Sequence, residues 1–176
     1  MDPFVVERVN AHLARFRQPQ GADEWRQVYD ALGEGAHIVK LNARDEGPVG
    51  FSDEYAQALG MIPHYLAIEP RGDGPILSQI EGVFTKPDPN VVSQADAIVC
   101  DGRIMVGVHC TWGLDRTGFE VARERVLCEG WSPEAAHEEW HRHARYFPHG
   151  PRVPSPGLEE SWDDFAQALA TRSRRL

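Results

Sequence analysis

The apolar run Ile104-Met105-Val106-Gly107-Val108 leads into His109-Cys110-Thr111-Trp112-Gly113-Leu114-Asp115-Arg116-Thr117-Gly118, and a helix-competent stretch, Phe119 to Cys128, comes directly after. Strand, tight loop and helix in immediate succession constrain the fold more than any other segment. A strand that runs straight into a helix is the repeating unit of a parallel sheet covered by helices. The loop also carries chemistry. A Cys and an Arg stand at its two ends as Cys-x5-Arg, followed by Thr117 and Gly118. A loop that ends on a helix N-terminus aims consecutive backbone N–H groups inward, which suits a phosphate dianion. Arg116 adds a planar, two-pronged contact to two phosphate oxygens. The same positive field favours Cys110 as thiolate, the nucleophilic form.

Other elements fall around this unit. Phe4, Val5, Val9, Leu13 and Phe16 have helical spacing and predict a helix over Phe4 to Phe16. Asp23 is the expected N-cap of a second helix, with Trp25, Val28, Tyr29 and Leu32 as its buried face and Gly33 and Gly35 at its end. Strands are expected at Ile38–Asn42, His64–Glu69 and Ile104–His109. Helices are expected at Ser52–Leu59, Ile76–Phe84, Val91–Val99, Arg116–Glu129, Ser132–Tyr146 and Pro156–Ala170. Asp45–Gly50 and Pro70–Pro75 read as loops. The fold class is α/β, a mostly parallel central sheet flanked by helices, in one domain spanning 1–176.

Composition narrows the function classes. The formal net charge of −9 repels nucleic acid and anionic lipid at long range, so neither is a favoured partner. No apolar run approaches the ~20 residues that cross a bilayer, and no leader precedes the domain, so no membrane association is expected. The 3 cysteines are widely spaced and make no disulfide framework; a reducing, cytoplasmic setting is the simpler expectation. Oligomeric state is not legible.

The string His109 to Gly118 resembles the signature His-Cys-x2-Gly-x2-Arg-(Ser/Thr)-Gly of the protein tyrosine phosphatase superfamily, in its compact dual-specificity branch. It is also similar to the RNA 5′-triphosphatase domain of capping enzymes. The resemblance implies roles. Cys110 is the nucleophile, and Arg116 with the loop Thr111, Trp112, Gly113, Leu114 and Asp115 holds the phosphate. Thr117 hydrogen-bonds the thiolate and helps it leave. His109 and Gly118 support the loop from behind. Trp112 either stacks on an aryl or nucleobase leaving group or packs on the domain.

Expelling an alkoxide or phenoxide needs a proton. The family supplies it from an Asp on a mobile loop before the Cys, and Asp73, between Gly72 and Gly74, fits that place. Glu69 and Asp115 are substitutes. The expected activity is phosphomonoester hydrolysis through a phosphocysteine, on a phosphoprotein or a phosphorylated small molecule, with no cofactor and no metal. Two alternatives use the same loop, an RNA 5′-triphosphatase or an inositol phosphate phosphatase; the loop's lack of Lys argues against lipid substrates. A third is a phosphate-binding pseudophosphatase. His137-Glu138-Glu139-Trp140-His141 matches His-Glu-x-x-His, with Glu160 spaced like a third zinc ligand. The segment is rich in His and Glu, so chance matches come easily. Ala136, Trp140 and Ala144 give its helix an apolar stripe with the histidines beside it. The zinc reading is therefore set aside.

Overall fold

The computed structural model describes residues 3–42, 52–68, 86–146 and 154–173. Strand β1 (Glu7–Arg8) turns into β2 (Leu13–Arg17), followed by α1 (Ala22–Leu32), β3 (His37–Lys40), α2 (Ser52–Ala58) and β4 (Ile62–Tyr65). Then come α3 (Pro89–Val99), β5 (Val106–Cys110), α4 (Asp115–Leu127), α5 (Pro133–Ala144) and α6 (Pro156–Ser173). The sheet order is β1-β2-β5-β3-β4, parallel except for β1. The cysteine-bearing strand β5 is therefore central, with β2 and β3 on either side. This is the expected α/β class.

The helix expected over Phe4–Phe16 is instead the β1–β2 hairpin. Its turn is set by Asn10, whose Oδ1 accepts from the N–H groups of His12 (3.0 Å) and Leu13 (2.8 Å). The apolar spacing was real, but its residues go to opposite faces of the sheet. Leu13 packs with Val39, Val99 and Val108, while Ala14 and Phe16 pack with Trp25, Val28 and Ile38. A strand buried on both faces has no polar side to betray its period of two.

Smaller corrections have equally local causes. Asp23 does not cap α1; Gly21 holds that position, and Asp23 lies in the first turn, where its charge suits the helix dipole. Strand β4 begins at Ile62 rather than His64, because its ladder with β3 starts at His37↔Ile62. Helix α3 starts at Pro89, capped by Asp88, whose side chain accepts from Asn90 N–H at 2.8 Å. Helix α5 starts after Ser132, whose hydroxyl accepts from Ala135 N–H at 3.2 Å. The loops expected at 45–50 and 70–75 and the helix at 76–84 lie outside the described residues.

A third cluster joins α4, α5 and α6 through Phe119, Ala136, Trp140, Leu158 and Trp162. Gly118 makes this possible. A Cβ there would stand 2.4 Å from Trp140 Cδ1, so only glycine lets α5 lie this close to the start of α4. Among the described residues, no helix is long and apolar enough to cross a membrane.

Cys100 and Cys128 are bonded as a disulfide, Cα–Cα 5.8 Å, tying the end of α3 to the end of α4. This corrects the expectation of unpaired cysteines and removes cysteine usage as an argument for a reducing compartment. Closing a loop of 28 residues predicts a loss of about 2–4 kcal/mol when both are changed to Ala. Urea unfolding of the oxidised protein and the double variant checks this; equal midpoints would mean the bond constrains little.

Candidate active site

Strand β5 delivers Cys110 to the C-terminal edge of the sheet, and α4 begins five residues later at Asp115. Cys110 is 3% exposed. The loop between them is fixed from outside by β2. Gln18 N–H donates to Cys110 O (2.9 Å) and Thr111 O (3.2 Å). The buried guanidinium of Arg15 donates to Gly113 O (2.7 Å) and reaches Leu114 O at 3.5 Å. With no cis peptide among the described residues, each N–H points opposite the preceding carbonyl across the peptide plane. The carbonyls of Cys110, Thr111 and Gly113, held toward β2, therefore turn the N–H groups of Thr111, Trp112 and Leu114 the other way, into the loop, while Leu114 O accepts the first helical bond of α4 from Gly118 N–H at 2.9 Å. The first-turn N–H groups of α4 have no intrahelical acceptors and add to them.

Gly113 closes the turn with φ +69°. A Cβ there would meet Phe16 O at 2.5 Å and Arg17 N at 2.8 Å. The loop thus lies directly on the β2 backbone, which is why its position is so tightly held.

Arg116 is 2% exposed. Its Nη1 donates to Ile68 O (3.1 Å) and Leu41 O (3.4 Å), and its Nη2 to Thr111 Oγ1 (3.3 Å). The carbonyls that follow β3 and β4 thus orient the guanidinium against the residue next to Cys110. Thr117 is wholly buried, and its Oγ1 has no hydrogen-bond partner among the described residues.

His109 is also wholly buried, stacked on Phe16 (5.2 Å) and edge-on to Trp25 (6.0 Å). Burial, then the positive charge of Lys40, pushes it down to about 3. A ring that stays neutral and is held between aromatics is poorly suited to take up a proton. Trp112, 37% exposed, lines a groove of about 510 Å³ on the outer side of the loop with Arg17, Leu114 and Tyr146.

Asp115 turns away from the loop. Its Oδ2 accepts from Ser155 N–H (3.3 Å), and its Oδ1 is shut off from solvent with no hydrogen-bond partner among the described residues. The indole N–H of Trp140 lies near enough to favour the carboxylate but closes no hydrogen bond. Burial, opposed by Ser155 N–H and Arg116 and reinforced by Glu159, raises this acid from 3.8 to about 7. An acid raised in the folded state stabilises fully below its unfolded value and loses that contribution as pH rises through the folded one. Stability should therefore decline between about pH 4 and pH 7, by at most about 4 kcal/mol. Asp115→Asn keeps the acceptor for Ser155 and cannot ionise. It is expected to flatten that decline and melt higher than wild type at pH 8; an unchanged pH dependence of the melting temperature would show that the carboxyl is not neutral.

The structure thus brings His109, Cys110, Thr111, Gly113, Arg116 and Thr117 into one loop. Asp73 and Glu69 lie outside the described residues. Arg15 and Gln18 escaped the sequence reading. Reading Phe4–Phe16 as a helix hid the alternation that makes Arg15 a charged residue inside a buried strand, which is the signal that could have found it.

A parallel sheet whose central strand runs into such a loop and helix is the fold found in solved structures that include PTPMT1, the PP-IP phosphatase SIW14 and TpbA. PTPMT1 in complex with PI(5)P is similar at TM-score 0.67 and 16% identity, covering 95% of this chain and 97% of that one. The core catalytic domain of the PP-IP phosphatase SIW14 from S. cerevisiae, in complex with citrate, gives 0.58 and 19%, covering 98% and 93%. TpbA from P. aeruginosa in complex with pTyr gives 0.57 and 18%, covering 93% and 88%. No protein-family model and no curated protein matches the chain.

Proposed function

We propose that this chain is a cysteine-dependent phosphatase that hydrolyses phosphomonoesters through a phosphocysteine. The observation that carries the reading is the loop itself: three carbonyls held toward β2 and the N–H groups that follow them turned inward, between Cys110 and the buried Arg116. Such an array stabilises the three equatorial oxygens over which charge spreads during phosphoryl transfer.

In the first step Cys110 Sγ attacks phosphorus in line, the S–P bond forms, and the P–O bond to the leaving group breaks. Asp73 gives its proton to the departing oxygen. In the second step Asp73 takes a proton from water, the oxygen attacks phosphorus, and the S–P bond breaks. The electron pair returns to Cys110 as thiolate, and the role assigned to the Thr117 hydroxyl is to donate a hydrogen bond to that leaving sulfur. Arg116 and the loop N–H groups hold the phosphoryl oxygens throughout.

Aryl phosphates are the first choice of substrate. The likeness to TpbA in complex with pTyr supports this. A second reading, an inositol phosphate or pyrophosphate, has specific support in the likeness to SIW14 and to PTPMT1 with PI(5)P. A cytoplasmic location fits either reading.

The test is hydrolysis of aryl phosphates of graded leaving-group acidity with a chelator present throughout. The wild type should turn them over, and Asp73→Ala should lose roughly 10²–10⁴-fold on phenyl phosphate but little on activated nitrophenyl esters. Equal loss on both moves the acid to another residue. No turnover of aryl or inositol phosphates would leave a phosphate-binding module.

A further inference from the structure

We propose that His137, His141 and Glu159 form a zinc site that clamps α6 onto α5, distinct from the phosphate loop. The two histidines lie one turn apart on α5 and Glu159 lies in the first turn of α6. His137 Nε2 and His141 Nε2 are 3.1 Å apart; Glu159 places Oε2 at 2.7 Å from the first and Oε1 at 2.5 Å from the second. One ligand atom from each of the three side chains lies within 4.8 Å of the other two.

Hydrogen bonding accounts for only two of these contacts. Both Nε2–H groups can donate to the carboxylate, but two N–H groups then abut at 3.1 Å with no acceptor between them. A shared cation accounts for all three. With zinc bonds of about 2.0–2.1 Å, tetrahedral ligands stand roughly 3.3 Å apart, so the two imidazoles are already nearly at ligand spacing. A small rotation of the Glu159 carboxylate opens the remaining edges. Ligation through Nε2 leaves each ring proton on Nδ1, and water takes the fourth position. Two neutral imidazoles and one carboxylate are a donor set that suits zinc among the available divalent ions.

The rings are held for this task. His137 packs edge-on to Trp140 (5.7 Å) and tilted over Trp162 (5.5 Å), and His141 packs on Trp140 (5.8 Å). Both histidines and Glu159 stay about a quarter to a third exposed, so an ion can enter from solvent. The site is structural rather than hydrolytic. Glu138, the base a zinc hydrolase of this motif requires, is exposed and directed to Arg142 at 3.8 Å. Glu160, the third ligand suggested by spacing, pairs with Lys86 at 3.2 Å. Its neighbour Glu159 takes that place instead. Because Ser155, just ahead of α6, donates to Asp115 at the start of α4, the clamp secures the helix layer behind the loop.

The experiment strips the full chain with EDTA, titrates zinc against a competing chelator, and records melting with and without the ion. One zinc per chain should bind, with a rise in Tm of about 5–10 °C at saturation. Cobalt should give the visible absorption of a four-coordinate ion. His137→Gln with His141→Gln should abolish the rise, and Glu159→Gln should weaken it and alter the cobalt spectrum. Cys110→Ser should leave both unchanged, which separates this site from the loop thiol. Circular dichroism of the metal-free variants checks that they are folded. Absence of stoichiometric zinc in the wild type, an undiminished rise in the folded histidine variant, or loss of binding with Cys110→Ser would each overturn the proposal. None of these results bears on phosphate hydrolysis.

Discussion

Changing Cys110 to Ser should lower aryl phosphate turnover by at least about a thousandfold, while inorganic phosphate still binds. A serine hydroxyl ionises far less readily than a thiol and needs a neighbouring base to activate it. His109, its immediate neighbour, is held neutral at about 3 and is locked between Phe16 and Trp25. Without a base the hydroxyl stays protonated near neutral pH, and nucleophilic catalysis is lost. Binding depends on other groups, the inward N–H array and Arg116, and these do not involve the sulfur. Calorimetric titration with phosphate and a steady-state assay on the same preparation test the two halves. Turnover that survives the change would remove Cys110 from the mechanism. Loss of phosphate binding together with turnover would mean that the sulfur shapes the loop as well as reacting.

Gly113→Ala is expected to have the largest effect on the fold of the site. Two costs coincide. The residue sits at φ +69°, where a Cβ costs about 1–2 kcal/mol, and that Cβ would lie 2.5 Å from Phe16 O. Backbone cannot move aside as a side chain can. Gly113 O is pinned by Arg15 at 2.7 Å, and β2 is paired with β5 from Leu13↔Val106 to Arg17↔Cys110. Overpacking adds about 1–3 kcal/mol, so a total near 2–5 kcal/mol and a Tm lower by roughly 5–15 °C are expected. The folded fraction should also lose phosphate affinity more than tenfold, because relief of the clash must turn the Trp112 and Leu114 N–H groups. A variant that melts and binds like the wild type would show that the loop does not rest on β2 as described.

The strand-loop-helix around Cys110 was legible because it is local. Apolar β-run, glycine, and a Thr-Gly at the head of a helix are readable within one unbroken stretch, Ile104 to Gly118. The α1 face was legible for the same reason: Trp25, Val28 and Leu32 recur at helical spacing and are the residues buried. The β1–β2 hairpin was not. Its apolar residues fit a helical wheel, and only the presence of two sheet faces to fill makes them a strand. The error had a direct consequence for the site, since it concealed Arg15, whose meaning depends on pairing Arg15↔Val108 across the sheet.

The remaining differences follow the same division. The Cys100–Cys128 bond joins residues at the ends of two helices, and nothing in their spacing shows that those ends meet. Asp115 looks from sequence like a loop acid, yet helix geometry swings it toward Ser155 and Trp140, away from the loop. The histidine motif on α5 named two groups correctly as neighbours, because i and i+4 on a helix always are. Its third group depended on how α6 packs, and one residue along a helix turns a side chain by about 100°. Sequence alone determined the identity and order of the phosphate loop, because consecutive residues with fixed backbone preferences build it. Tertiary structure alone decided what holds that loop in place, that Asp115 turns away from it, and which carboxylate meets the histidines, because those contacts join segments far apart in the chain.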